Sequence, residues 1–474
     1  MTPDDAPTLA APRAPAPQAP DAATLLARYG GAVPRYTSYP TAPHFTADVD
    51  EARYADWLAA LPDDKPVSLY CHIPFCDTLC WFCGCQTKIT RRYAPVASYL
   101  ETLEREISLV RAAHGGRALP LSHIHWGGGS PTMLRPDDIR RLARAIDADF
   151  ARTEDCVFAV EIDPREMTAA DVAALADAGV TRASLGLQDI DPEVQAAINR
   201  IQPMDETARL ADRLRAAGVR ELNLDLMYGL PHQTVAHVLA SVEAALALAP
   251  DRIALFGYAH VPWMKTHQKM IPEAALPDSE ARYAQAEAAS AALAAAGYQR
   301  IGLDHFAKPD DPMAIALREG RLRRNFQGYT TDDAGALIGV GASAIGRLPQ
   351  GYVQNDPATG RYAKAIRDGR LAVARGKAFE GDDRLMGAAI ERVMCDFAVD
   401  LAALAREMGA APDAFDRARA RLAPLVADGL ATLDGGERLA MTAAGRPYVR
   451  QIAACFDRYF APAAGIGPKH SSAV

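Results

Sequence analysis

Across its 474 residues the chain contains no uninterrupted apolar run long enough to span a bilayer. Its N-terminus, MTPDDAPTLAAPRAPAPQAP, has no apolar segment between a basic start and a cleavage site, so it is not a secretory signal. Export is not expected, and a reducing cytoplasm is the default compartment. Positive charge is also scarce: 51 Lys and Arg face 59 Asp and Glu, a formal net charge of −8. Nothing global therefore recruits nucleic acid or an anionic membrane, and any anionic substrate needs local basic side chains. Aromatic residues make up 7 % of the chain. Cysteine is nearly absent outside one stretch, since five of eight cysteines lie in YCHIPFCDTLCWFCGC, residues 70–85. In a reducing compartment such crowding suits a metal or redox site better than a disulfide framework.

The first 22 residues, rich in Ala and Pro, are expected to be disordered. Residues 23–66 form an arm with little periodicity, expected to be ordered because Tyr36, Tyr39 and Phe45 are costly to leave in water. From residue 67 short strand-like runs alternate with helical patterns. The predicted strands are 67–73, 123–126, 156–162, 182–188, 221–227, 252–258 and 298–304. Between the first two, Leu100, Leu103, Ile107 and Val110 share one helical face. Gly218 is placed to end another helix. Repeated βα units imply a parallel sheet with helical crossovers, here an α/β fold with an incomplete parallel (β/α) barrel over 67–375; a doubly wound sheet is the alternative. Residues 376–474 read as a small, mainly helical domain interrupted by a hairpin. From Glu380 onward it holds 11 Lys/Arg against 13 Asp/Glu, which argues for a packing or lid domain over a DNA-binding winged helix.

Unusual residues fall where the strands end: the cysteines after the first, GGGSPT after the second, Glu161 and Asp163 at the third, Gln188 and Asp189 at the fourth, Asp225 near the end of the fifth, GYAHVP after the sixth. Parallel barrels carry their active sites at that edge. Taken singly, each has a plainer reading. A glycine run is a turn, Glu161 a solvated charge, Gln188 a helix cap, Arg200 a helix surface residue and Tyr70 a packing residue. His72 and His260 read as hydrogen-bonded structural histidines, and Cys156, Cys395 and Cys455 as buried apolar residues.

The cysteine spacing is Cys76-x3-Cys80-x2-Cys83-x-Cys85. A zinc site normally pairs two separated C-x2–4-C units, and a thioredoxin-like site uses one C-x-x-C. Three cysteines on one loop fit a cubane iron–sulfur cluster with one iron left open. This spacing after a first β strand resembles the radical S-adenosylmethionine enzymes. The ordered motifs PRYTSYP, YCHIPFC…CWFCGC, HWGGGSPT, EIDPRE, LGLQD, NLDLMYGLP, GYAH and RNFQGYTT resemble, more narrowly, the oxygen-independent coproporphyrinogen III oxidases.

That resemblance implies a [4Fe-4S] cluster on Cys76, Cys80 and Cys83, and two S-adenosylmethionine molecules. The first would contact Tyr70, Gly128, Glu161 and Ile345. The second would contact Phe82, Gly129, Ser130, Gln188, Arg200, Asp225 and Ala259. Gln327 is implied as a catalytic-site residue, with Arg35 and Arg324 as candidates to meet substrate carboxylates. The implied reaction converts two propionates of coproporphyrinogen III to vinyl groups in porphyrin biosynthesis. The implied partner is a low-potential electron donor protein, and a monomer is expected.

Two other readings stay open at this point: a haem-binding chaperone of the same superfamily, and a zinc-binding module on an inert barrel. The chaperones resemble CDF at the third ligand, where this chain has CGC, and lack the PRYTSYP arm. The chain departs from the family pattern at Cys71, where an aliphatic residue is usual. Strand alternation turns Cys71 away from Tyr70 and His72, so it is expected to pack beneath the site. Cys85 has no assigned role.

Overall fold

The computed structural model describes residues 20–165 and 167–460. The Ala/Pro-rich tail falls almost wholly outside them; Ala22 already opens a helix, Ala22–Tyr29, capped by the Asp21 side chain. Among the described residues the largest sheet has twelve strands. Its centre is β1 Val67–Ile73, β2 Leu119–Gly128, β3 Phe150–Ile162, β4 Arg182–Gln188, β5 Glu221–Tyr228 and β6 Arg252–Gly257, paired in that order and all parallel. Beyond β6 lie β7 Gln299–Ile301 and β8 His305–Ala307. On the other flank β9 Leu337–Val340 runs parallel to β1, followed by antiparallel β10 Ile345–Leu348, β11 Gly351–Asn355 and β12 Val373–Ala378. The strands at the two ends of the sheet are β12 and β7, so the barrel stays open.

Helices cross back between successive parallel strands. In Ala94–Ala113 the buried face includes Leu100, Leu103, Ile107 and Val110, as their spacing predicts. Thr168 caps Ala169–Asp177 with a reciprocal side-chain box to Asp171. Met204–Ala216 ends at Gly218, whose φ of +93° lets the chain turn without a Cβ penalty.

Two differences from the sequence-based expectation have clear causes. The seventh predicted strand does not join the parallel set. The chain reverses after Ile301 through Gly302, at φ +57°, and β7 pairs antiparallel with β8, which pairs antiparallel with β6. The third strand begins six residues early, because the polar segment from Phe150 pairs with the start of β2. Its charged side chains carry no apolar alternation by which to recognise a strand.

The arm is ordered by its aromatics. Tyr36 is buried and its hydroxyl donates to Asp457, the Tyr39 ring lies against Tyr459, and Phe45 stacks on Tyr352 of β11. It thus binds the large sheet to the C-terminal segment. There the helices Asp383–Asp396, Leu401–Glu407, Asp416–Ala427 and Val449–Ala454 pack around a three-stranded sheet of 398–400, 431–434 and 438–441. Tyr36, Tyr39 and Leu25 belong to the same hydrophobic core as those helices.

Candidate active site

At the carboxyl end of β1 the chain leaves the sheet and forms the cysteine loop. Phe75–Cys76 pairs in parallel with Lys88–Ile89, which closes the loop at its base. Outside residues hold the loop by its backbone. Asn199 Nδ2 donates to Leu79 O at 2.8 Å, and Ile198 O accepts from Trp81 N at 2.9 Å. Gln268 Nε2 donates to both Phe82 O and Ala259 O at 3.1 Å. His267 Nε2 lies 2.8 Å from Cys83 O, and Lys265 Nζ donates to Cys85 O at 3.0 Å. Filling so many carbonyls from elsewhere sets the loop's path and leaves its thiols for another use.

The five thiols are not equivalent, and none is in a disulfide. Cys71 lies in the core between Trp126 of β2 and Val340 of β9, with its side chain fully buried. Cys80 is nearly buried, and its sulfur receives Arg200 Nη1 at 3.5 Å and Arg165 Nη2 at 3.8 Å. Asp163 joins the two guanidinium groups, at 2.6 Å to Arg165 and 3.1 Å to Arg200. Burial raises the Asp163 pKa, but the two arginines outweigh it and hold the carboxyl below its usual range. Burial, then the neighbouring Cys83, pushes the Cys76 thiol up to about 12. Contact with Cys85 outweighs burial at Cys83 and draws it down to about 6. Cys85 donates its amide to Cys83 Sγ at 3.4 Å. Among the described residues no three His, Cys, Asp or Glu side chains are gathered around a single-ion position.

Beside the loop stands the glycine run that ends β2. Each glycine is needed for a different contact. A Cβ on Gly127 would lie 2.8 Å from the Glu161 carboxylate, one on Gly128 2.5 Å from the His72 ring, and one on Gly129 2.6 Å from Phe75 O. Gly128 also sits at φ +114°. Its amide donates to Glu161 Oε2 at 3.0 Å, and His125 Nε2 lies 3.2 Å from Oε1. Burial raises the Glu161 pKa, but His125 and Gly128 outweigh it and keep the group below its usual value. Tyr70 OH is 2.9 Å from His72 Nδ1, and His72 Nε2 is 3.0 Å from Gln86 O, which ties β1 to the exit of the cysteine loop.

The remaining candidates complete the same edge. Gln188 ends β4 with φ +66°, at an irregularity in its pairing with β5. Arg200 Nη2 donates to Gly186 O at 2.7 Å, so the carboxylate its fork grips here is Asp163. Its buried Nε has no hydrogen-bond partner. Asp225, opposite Gly186, accepts from Asn223 at 2.7 Å and from Ser184, while burial and then Glu161 raise its pKa to about 6. Ser130 N donates to Phe75 O at 2.7 Å. Phe82 and Ala259 meet through Gln268. Ile345 opens β10, its backbone beside Gly339, the register partner of Tyr70.

Gln327 stands apart, at the turn of the hairpin 323–330, with its amide donating to Asn325 Oδ1. No hydrogen bond joins it to the other candidates among the described residues. Arg35 and Arg324, by contrast, line one cleft together with Ala259. Sequence reasoning quoted Arg165 only as part of EIDPRE and passed over Asn199, His267 and Gln268. The last two lie on a short 3-10 turn, Thr266–Met270, with no periodicity to mark it.

The chain matches the Radical SAM superfamily model over residues 70–245 and the HemN C-terminal domain model over 379–448. It is 52 % identical over 453 residues to the oxygen-independent coproporphyrinogen III oxidase of Bradyrhizobium diazoefficiens, covering 95 % of this chain and all of the relative. The Paracoccus denitrificans protein of the same name is 46 % identical, covering 95 % and 98 %. The solved structure of the Escherichia coli protein, described as coproporphyrinogen III oxidase (HemN) and a radical SAM enzyme, superposes with a TM-score of 0.86 at 38 % identity, covering 90 % of this chain and 98 % of that one. With cysteine loop, glycine run and C-terminal segment all matched in one continuous alignment, the chain belongs to the oxygen-independent coproporphyrinogen III oxidase family of radical S-adenosylmethionine enzymes.

Proposed function

We propose that the protein carries out anaerobic oxidative decarboxylation of two propionates of coproporphyrinogen III, giving protoporphyrinogen IX. The observation that carries this reading is the cysteine loop at the edge of the sheet, in a chain aligned over nearly its full length with named oxidases. Overall, each propionate side chain loses one hydrogen atom from its β-carbon, carbon dioxide and one further electron to an acceptor, leaving a vinyl group.

The residues present suit the implied cofactors. Cys76, Cys80 and Cys83 are free thiols on one short loop, and two guanidinium groups donate toward Cys80 sulfur. A cubane presents separate irons to its ligands, so its cysteines need not converge on one ion. In this reading those three thiolates hold the cluster. When bound, the cluster and S-adenosylmethionine supply a 5′-deoxyadenosyl radical.

Two S-adenosylmethionine molecules are proposed. Tyr70, Gly128, Glu161 and Ile345 face the first, and Phe82, Gly129, Ser130, Gln188, Arg200, Asp225 and Ala259 the second. Glu161 and Asp225 offer acceptor oxygens to ammonium or hydroxyl groups. The glycine run lets a ligand approach the backbone. Arg200 Nε offers a buried donor with no partner of its own. Gln327 is retained as a site residue on the hairpin that also carries Arg324. A low-potential protein is the electron donor. No helix among the described residues is long and apolar enough to cross a membrane.

Anaerobic incubation of reconstituted protein with coproporphyrinogen III, S-adenosylmethionine and a reductant tests the reading. Two vinyl groups per macrocycle are expected by mass spectrometry of the oxidised product. Haem binding without vinyl formation would instead support a chaperone.

A further inference from the structure

Five arginines line one cleft beside Ala259: Arg35, Arg282, Arg300, Arg324 and Arg450. They come from distant parts of the chain. Arg35 lies in the arm, Arg282 on the helix Ser279–Ala295, Arg300 in β7, Arg324 in the hairpin, and Arg450 on the C-terminal helix Val449–Ala454. Chance surface charge does not explain this convergence in a chain of net charge −8. Between them the walls are partly aromatic, with Tyr228, Tyr258 and Trp263.

The arginines sit there at a cost. Burial, with Arg35 adding to it, lowers the Arg282 pKa; burial, then Arg35, lowers Arg450 to about 10. Arg324 packs over the Tyr329 ring, 4.4 Å from its centroid, and Nη2 reaches only Arg35 O at 3.4 Å. Its Nε and Nη1 are buried without hydrogen-bond partners, as is Arg300 Nε. Leaving buried guanidinium donors without an acceptor is unfavourable.

The carboxylates of the cleft answer this charge only in part: Asp304 acts on Arg35, Arg324 and Arg450 through space, and no direct ion pair joins it to Arg35 or Arg324. Asp304 is engaged by His305 at 2.7 Å and stays ionised, its pKa near 2, because His305, Arg324 and Arg35 outweigh burial. Asp278 caps the helix Ser279–Ala295 through Ala281 N. No side-chain ion pair joins Arg35, Arg282, Arg300 or Arg324 to a carboxylate among the described residues. What complements such a cleft is an anion with several carboxylates spread around an apolar body, since guanidinium groups pair with carboxylates in forked geometry.

We infer that Arg282, Arg300 and Arg450, together with Arg35 and Arg324, bind the carboxylates of the macrocyclic substrate, with the aromatic walls against its rings. This deepens the functional reading above and takes the identity of the tetracarboxylate from it. It also assigns the arm and the C-terminal helix a binding role beyond packing, because each supplies one arginine. The cleft adjoins the cluster loop through Gln268, which bonds Ala259 O on one side and Phe82 O on the other.

Fluorescence titration of the full-length, anaerobically purified holoprotein tests the inference, with coproporphyrin III (four carboxylates) and mesoporphyrin IX (two) as probes. Arg282→Gln and Arg450→Gln should each weaken coproporphyrin III binding roughly ten- to a hundredfold, and mesoporphyrin IX binding less. Arg282→Lys should recover part of the loss. Iron content and the unfolding transition, measured on each variant, identify any that fails to fold; Arg282 and Arg300 lie on different elements, so Arg300→Gln gives a second determination. Unchanged affinity in folded variants, or equal weakening for both porphyrins, overturns the inference. If the wild-type protein forms no vinyl product but the variants lose coproporphyrin III affinity, the functional reading falls and the polycarboxylate cleft stands.

Discussion

At the scale of single residues the cysteine loop separates chemistry from packing by burial and by partner. Cys71 belongs to the sheet core and Cys80 to an arginine-lined corner. Cys80→Ala should therefore abolish most bound iron, whereas Cys71→Val should leave iron and sulfide unchanged in anaerobic analysis. Asp163 is the counter-charge for both Arg165 and Arg200. Removing the anion from a largely buried pair typically costs about 3–5 kcal/mol. Asp163→Asn should accordingly lower the unfolding free energy, measured by denaturant titration, by an amount of that order, and an unchanged value would show the triad to be dispensable. Strand alternation was enough to separate Cys71 from Tyr70 and His72. The Asp163 triad was not legible in that way, because its three members come from two loops and meet only in space.

At the scale of elements, strand ends bring the candidates together. Gly128 combines a positive φ with a Cβ position 2.5 Å from the His72 ring. Gly128→Ala should destabilise the fold by about 1–3 kcal/mol and weaken S-adenosylmethionine binding in equilibrium dialysis. Behind the site, Glu106 of the helix Ala94–Ala113 accepts from Gly341 N, Asn355 Nδ2 and Tyr362 OH. Tyr99, two turns earlier on the same face of that helix, donates to His72 O and accepts from Ala342 N. Helix, β1 and the β9–β10 turn are thus held as one unit.

Burial of Glu106 outweighs its three donors and raises its pKa from 4.5 to about 7. The folded state then binds a proton that the unfolded state releases. Its contribution is complete below the unfolded value and is lost as pH rises through about 7. Urea unfolding between pH 4.5 and 8 should show that decline, and Glu106→Gln should flatten it. A helical apolar period revealed the helix, but the Glu at its centre reads in sequence as a surface charge. Only its contacts across the sheet show otherwise.

At the scale of the whole molecule, the arm is a structural part of the protein. Tyr36, Tyr39 and Phe45 are buried against the C-terminal segment and β11. Burying one large aromatic side chain contributes about 1.5–3 kcal/mol. Deletion of residues 20–45 should therefore lower the melting temperature and expose the C-terminal helices to limited proteolysis; retained protease resistance would argue against this role.

The sequence alone determined what repeats or is local. The βα rhythm marks a parallel sheet, because side-chain period follows backbone period. The x3 and x2 cysteine spacing marks the loop, because closely spaced thiols on one short segment are brought together whatever the rest of the chain does. The arm's aromatics mark burial, because leaving them in water is unfavourable. The tertiary structure decided what is neither periodic nor local. It turned the chain back at Gly302, so that the antiparallel strand His305–Ala307 lies between the seventh predicted strand and the parallel set, through a backbone angle that a residue pattern does not specify. It placed Asn199 and Gln268 on the carbonyls of the cysteine loop. It also gathered arginines from positions 35 to 450 around one cleft, since a contact across four hundred residues depends on the folded path of the chain and leaves no spacing to read.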